Sequence, residues 1–203
     1  MATLPADLVA VSRHRLTGAD FRRMGEVGIL GPDDRVELIA GEIVDMSPIG
    51  SLHAALVRAI ATALMHHVRE KALLAIQDPL ALDDTSQPQP DLTILRPRAD
   101  FYAAAHPGPG DVLLMIEVAD TTLAFDLDVK VPLYAAAGIP EAWVIEAASR
   151  RTHIFRLPVN GRYAERQIVE SCGEVTCGGD LIGREVVADV RLTLGQLLPT
   201  SLP

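Results

Sequence analysis

No run of about 18 uninterrupted apolar residues occurs in the chain, so no membrane span is expected. The N-terminal stretch "MATLPADLVAVSRHRLTGADF" lacks a basic start followed by an apolar run and carries Asp7 early, so it does not read as a secretory signal. A cytoplasmic protein is expected. There are only two cysteines, Cys172 and Cys177, with four residues between them. No second Cys or His pair stands nearby to complete a zinc site, and a disulfide is not expected in a reducing compartment. They read as two small, buried or half-buried residues in a late hairpin. Basic excess is also missing. The net charge is −9, which argues against a broad basic surface for nucleic acid but leaves room for a local groove, because carboxylates that hold a metal count as acid in the sum. There is no G-x-x-x-x-G-K, no G-x-G-x-x-G after a strand and no G-x-S-x-G, so neither a phosphate-cradling loop nor a serine hydrolase has support. His66-His67 lacks the H-E-x-x-H spacing of a zinc protease and reads as a solvated helix face.

Hydrophobic residues make up 49% of the 203 positions, enough for a sizeable core. The patterning gives an N-terminal arm over 1–16 and one domain over 17–203, without repeats or linkers. Thr17 can cap a short helix on which Phe21 and Met24 recur at helical spacing. "RVELIAGEIVDMSP" reads as a hairpin turning at Ala40-Gly41. Ser51 can cap a long helix whose apolar stripe is Leu52, Ala55, Leu56, Ala59, Ile60, Ala63 and Leu64. Strands follow at "LLAIQDPLAL" and "PDLTIL", separated by a polar turn, and "RADFYAAAHPGPG" is a short helix or loop. "DVLLMIEVAD" is a central strand buried on both faces. A helix follows near "DLDVKVPLYAAAG" with Gly138 as its stop, then strands at "EAWVIEA", "RTHIFRL" and "RYAERQIV". The fold class is α/β: a mixed β-sheet flanked by helices, with an N-terminal hairpin and a C-terminal strand extension.

Two carboxylates stand out because they interrupt apolar strand runs: Asp91 in "PDLTIL" and Glu117 in "LLMIEVA". Ionised carboxylates are costly to bury unless paired or metal-bound. Pro90 suits the first position of a strand, which puts Asp91 at the strand's beginning. If the two strands pair, the carboxylates converge at one sheet edge, and two hard oxygen ligands plus water suit Mg²⁺ or Mn²⁺. The bland alternative is a turn-capping Asp91 and a Glu117 bridged to an arginine. Glu117 and Ala119 share a strand face. A common nuclease arrangement has a lysine at that second place. Here it is Ala119, and Lys130 on the next helix is the obvious replacement. Its plain alternative is an i, i+4 pair with Asp126, worth only about 0.2–0.5 kcal/mol on an exposed helix. Asp126 or Asp128 could cap that helix, with Pro132 near its first turn.

"VELIAGEIVDMSPIGSLH", "QPDLTIL", "IEVADTTLAFDLDVKVPLYAAAGIPEAWVIE" and "RTHIFR" resemble the Uma-type restriction endonuclease-like family of the PD-(D/E)XK nuclease superfamily, over about residues 17–198. The resemblance implies a restriction endonuclease-like core with a divalent metal at one end of the sheet, and a lysine moved from strand to helix. It implies Asp91, Glu117 and the Val118 carbonyl as metal ligands, Lys130 as the catalytic lysine, and Glu37 as an additional acid. Glu37 reads equally as a surface strand residue paired with Arg35. His53 either touches the site or is satisfied by backbone at the helix start. Asp120 reads as a turn or supporting group, and Trp143 as core. The expected activity is Mg²⁺- or Mn²⁺-dependent cleavage of DNA, with a fold-keeping binding or assembly protein as the rival and RNA or a repair intermediate as another substrate. The late strands and the tail "LTLGQLL" offer a homodimer surface, since symmetric dimers are common.

Overall fold

Thr17 opens the first helix in the way its side chain favours. Its backbone is extended, its hydroxyl accepts the Asp20 N–H, and the Asp20 carboxylate accepts the Thr17 N–H, a reciprocal cap for α1 (Gly18–Glu26). The structure is a computed structural model and describes residues 13–68, 71–170, 175–176 and 191–192. β1 (Val36–Ile39) and β2 (Glu42–Asp45) form an antiparallel hairpin, and both turn residues, Ala40 and Gly41, have positive φ. That turn matches the twist of the strands it joins. A Cβ on Gly41 would lie 2.7 Å from the Cβ of Arg15, so space as well as φ calls for glycine. The described end of the expected arm is not loose. Leu16 N–H donates to the Gly41 carbonyl at 3.0 Å, and Arg15 pairs with Glu42 at 3.1 Å.

α2 (Ser51–Val68) carries Leu56, Ile60, Leu64 and Val68 at four-residue spacing, and all four are buried. Its first helical bond runs from Ala54 N–H to the Gly50 carbonyl, so the helix begins one residue before a cap at Ser51 would place it. The main sheet has six strands in the order β3 (Leu73–Ile76), β4 (Leu92–Leu95), β5 (Val112–Ala119), β6 (Glu141–Glu146), β7 (Thr152–Val159) and β8 (Arg162–Val169). Every pairing is antiparallel except β5 with β6, so the sheet is mixed as expected. β9 (Val175–Thr176) and β10 (Arg191–Leu192) pair separately.

β5 is buried at all eight positions because helices cover both faces. α2 packs with Ile94, Leu114, Ile116 and Val118 on one face. On the other, Met115, Ala119 and Val144 pack with Val131 and Tyr134. Alternation along β5 puts Glu117 on this second face.

A parallel pair requires a crossover. Here α3 (Leu123–Phe125), a π turn (Asp126–Lys130) and α4 (Val131–Ala136) run as one helical segment over Glu117. This corrects the expected helix start at Asp126 or Asp128. Winding begins at Leu123, and neither aspartate caps it; Asp126 is buried and accepts the Thr122 hydroxyl at 2.7 Å. Pro132 does lie in the first turn of α4, within a longer segment. In a regular helix its ring would press on the Asp128 carbonyl. The π turn, closed by Val131 N–H to the Asp126 carbonyl, widens the winding just before that ring. The "RADFYAAAHPGPG" region is a series of turns with a single 3₁₀ turn at Pro109–Asp111. Cys172, Cys177 and most of the expected tail element lie outside the described residues. Among the described residues no helix is long and apolar enough to cross a membrane.

Candidate functional site

A cavity of about 380 Å³ opens where β5 ends and β4 begins, walled by the β1–β2 hairpin, the start of α2 and the helical crossover. Asp91, Glu117, Val118, Lys130 and Glu37 all line it, and so does His53.

Asp91 directly precedes β4. The last β4–β5 pair is Leu92 with Ile116, and beyond it the Asp91 Oδ2 accepts the Val118 N–H at 2.8 Å. The carboxylate thus stands where a backbone carbonyl would have continued the ladder. In an extended strand a residue's N–H and C=O face the same neighbour, so the Val118 carbonyl faces the same side, past the end of β4. Gln77 Nε2 donates to Asp91 Oδ1 at 3.0 Å, and Gln89 holds Gln77 through its backbone carbonyl. His53 Nε2 lies 3.0 Å from Asp91 Oδ2. Burial works to raise the Asp91 pKa, but the His53, Val118 and Gln77 donors together hold it below the ordinary value. The bond to Asp91 raises the His53 pKa against its partial burial. His53 therefore touches the site. Its Nδ1 is buried and has no hydrogen-bond partner among the described residues.

Lys130 projects from the π turn into the cavity wall and is buried. Its Nζ donates to Glu37 Oε1 at 3.0 Å and to Glu117 Oε1 at 3.2 Å. The plain pairing with Asp126 on an exposed helix does not occur. Glu37 is buried and bound to Lys130 and to the Gln89 N–H at 2.8 Å, not paired with Arg35 on the surface. Tyr134, one turn beyond Lys130, donates its hydroxyl to the same Glu117 Oε1 at 2.5 Å. The second oxygens, Oε2 of Glu37 and Oε2 of Glu117, accept no hydrogen bond among the described residues.

One ammonium is shared among a crowd of carboxylates. Burial pushes Glu117 up to about 8; Lys130 pulls it down, but Asp126, Asp91 and Glu37 add to the rise. Burial opposes the charge on Lys130, yet Glu117 and Glu37 outweigh it and hold the pKa above its ordinary value. Asp126 is raised by its burial. The site therefore carries a fixed cation and an excess of acid that a further positive charge would relieve.

Tyr134, Gln77 and Gln89 join the site without being expected there from the sequence, and Asp126, expected as a helix cap or a partner for Lys130, is a buried acid of the cavity wall. Tyr134 had a usable signal: it lies four residues after Lys130, hence on the same helix face. Asp120 is exposed on the cavity rim. Trp143 is core, as expected, with its indole N–H donating to Glu141.

A solved structure from Anabaena variabilis, described as a putative nuclease, shares the fold: the TM-score is 0.63 at 15% identity, covering 90% of this chain and 99% of that one. No curated protein sequence matches the chain. The model of the Uma2 family, described as "putative restriction endonuclease", matches residues 19–192. With that match spanning the hairpin, both strands that bear the acids and the crossover that bears the lysine, the chain belongs to the Uma2 restriction endonuclease family.

Proposed function

We propose that the protein is a metal-dependent nuclease that hydrolyses phosphodiester bonds of DNA. The observation carrying this reading is the seat of Lys130 Nζ between Glu37 and Glu117, in a cavity shared with Asp91. Three elements distant in sequence bring one cation and several acids to a single sheet edge. The donor chemistry fits a hard cation: carboxylate oxygens and a backbone carbonyl. Among the described residues no three His, Cys, Asp or Glu side chains already form a cage. The oxygens on offer are Oε2 of each glutamate, the Asp91 carboxylate and the Val118 carbonyl. Asp91, Glu117 and Val118, joined by Glu37, would hold Mg²⁺ or Mn²⁺. When bound, such an ion polarises a phosphoryl oxygen and lowers the pKa of a water. Lys130, held charged by its carboxylates, orients the attacking oxygen or offsets charge on the phosphoryl group in the transition state. Tyr134 and Lys130 occupy one Glu117 oxygen and leave the other without a donor among the described residues.

The reading includes a single domain over 17–203, a homodimer and a cytoplasmic location; light scattering on the purified protein tests the dimer. A plasmid-nicking assay with Mg²⁺ or Mn²⁺ tests the activity. Wild type should cleave and Lys130→Ala should lose cleavage by 100-fold or more, about 2.7 kcal/mol in the barrier. Equal trace cleavage by both would remove the enzymatic reading. A rival has a specific observation behind it: the ammonium already occupies the space between the two glutamates, as it would in a protein that keeps the fold without catalysis. A Mg²⁺ titration read by melting temperature separates the two, because only a protein that binds the ion is stabilised by it.

A further inference from the structure

Among the described residues the cavity lining holds two strong cations, Lys130 and Arg35. Lys130 is committed to two carboxylates. Arg35 differs in every respect. It is exposed at the mouth, and its side chain makes no hydrogen bond or ion pair among the described residues. Its backbone is nonetheless fixed: the Arg35 carbonyl accepts the Met46 N–H at 2.9 Å, which extends the β1–β2 ladder by one step. In that extended stretch Arg35 lies two residues before Glu37 and so on the same face. A guanidinium on a fixed strand, unpaired beside an acid-rich cavity, is placed to meet an anion from outside.

We propose that Arg35 binds a backbone phosphate of the nucleic-acid substrate next to the one that reacts, and so sets the strand's register in the cavity. This rests on the nuclease reading. The carboxylates around Lys130 repel a phosphodiester. A planar, always-charged fork at the mouth offsets that repulsion and can grip two phosphate oxygens at once. The contact is to backbone, so it adds affinity without base preference. Arg35 is a positioning residue in this scheme; the reacting atoms lie deeper, at Lys130 and the acids.

The experiment compares wild type, Arg35→Ala and Arg35→Lys by fluorescence anisotropy with a labelled 20-base-pair duplex in Ca²⁺ buffer, over a series of salt concentrations. Arg35→Ala should weaken binding about fivefold or more and lower the salt slope by about 1, the loss of one phosphate contact. Arg35→Lys should recover the slope but only part of the affinity. Under Mg²⁺ the alanine variant should raise KM more than it lowers kcat, with an unchanged melting temperature. If wild type binds the duplex and Arg35→Ala binds it with equal affinity and slope, the assignment of Arg35 is wrong and the nuclease reading stands. If wild type neither binds nor cleaves the duplex, both fall.

Discussion

Two buried glutamates in this molecule are dressed almost alike. Glu117 accepts Lys130 and the Tyr134 hydroxyl on one oxygen. Glu141 accepts the Arg156 guanidinium at 2.9 Å and the Trp143 indole N–H at 2.6 Å, also on one oxygen. In each, the described contacts bring a cation and an aromatic donor to that oxygen. By strand alternation they lie on opposite faces of the sheet, Glu141 with Trp143 and Ile145, Glu117 with Met115 and Ala119. The surroundings separate them. Glu141 is fully enclosed within the sheet and α2 side of the core. Glu117 borders a cavity and shares its cation with Glu37, with Asp91 and Asp126 close by. A buried ion pair is thus weak evidence of function by itself. Acid in excess of its cations, turned toward an opening, is the feature that distinguishes a site from a brace.

Removing the cation on the enclosed side should have the largest effect on folding. Arg156→Met leaves Glu141 buried without its guanidinium and should cost about 3–5 kcal/mol, a loss of roughly 10 °C in melting temperature. Any Mg²⁺-induced stabilisation should survive in that variant, measured by the same melts. A collapse of the metal response would show that the two clusters are coupled and that the contrast between them is false.

Acidity offers the next test. Glu117 is raised from its ordinary value of 4.5 to about 8, so the folded state prefers its neutral form. Its contribution to stability is whole below about 4.5 and is lost as the pH rises through about 8. Asp126, raised by burial, has the same sign; Asp91, lowered, contributes in the opposite sense, on acidification. Metal-free protein should therefore melt several degrees lower at pH 9 than at pH 6, and Glu117→Gln should flatten most of that slope. A slope that persists undiminished in Glu117→Gln would assign it elsewhere.

The smallest change is Tyr134→Phe, which deletes one hydroxyl and nearly no volume. It removes one of the two donors on Glu117 Oε1, leaving Lys130, and should slow cleavage about tenfold, equivalent to about 1.4 kcal/mol, while the lysine variant slows it far more. Cleavage at the wild-type rate would reduce Tyr134 to packing.

Most of the frame is legible in residue patterns. The seven apolar positions of β5 around Glu117 announce a strand covered twice, and Asn160-Gly161, both at positive φ, joins β7 to β8 by the turn such a pair favours. Asp91 and Glu117 are visible because acid inside an apolar run demands a partner. The partners are harder to read. Gln77 and Gln89 act through a chain of contacts that only the folded turn creates. Tyr134 shares a helix face with Lys130, but its partner Glu117 becomes evident only once the crossover lays that face over β5. The π turn has almost no signature in residue types; Pro132, in an awkward place for a continuous helix, is its one trace.

That turn fixes how this segment can change over generations. It holds one residue more than a regular coil of the same rise, and the surplus lies between the first helical winding and the lysine. Dropping a single codon from 126–129 would let the backbone wind regularly, but the wide turn before Pro132 would close up and its ring would meet the carbonyl four residues upstream. Substitutions at exposed Asp128 or Val129 leave the spacing intact. The stretch is therefore open to point replacement and closed to deletion, and a deletion scan across 123–136 would show that boundary directly.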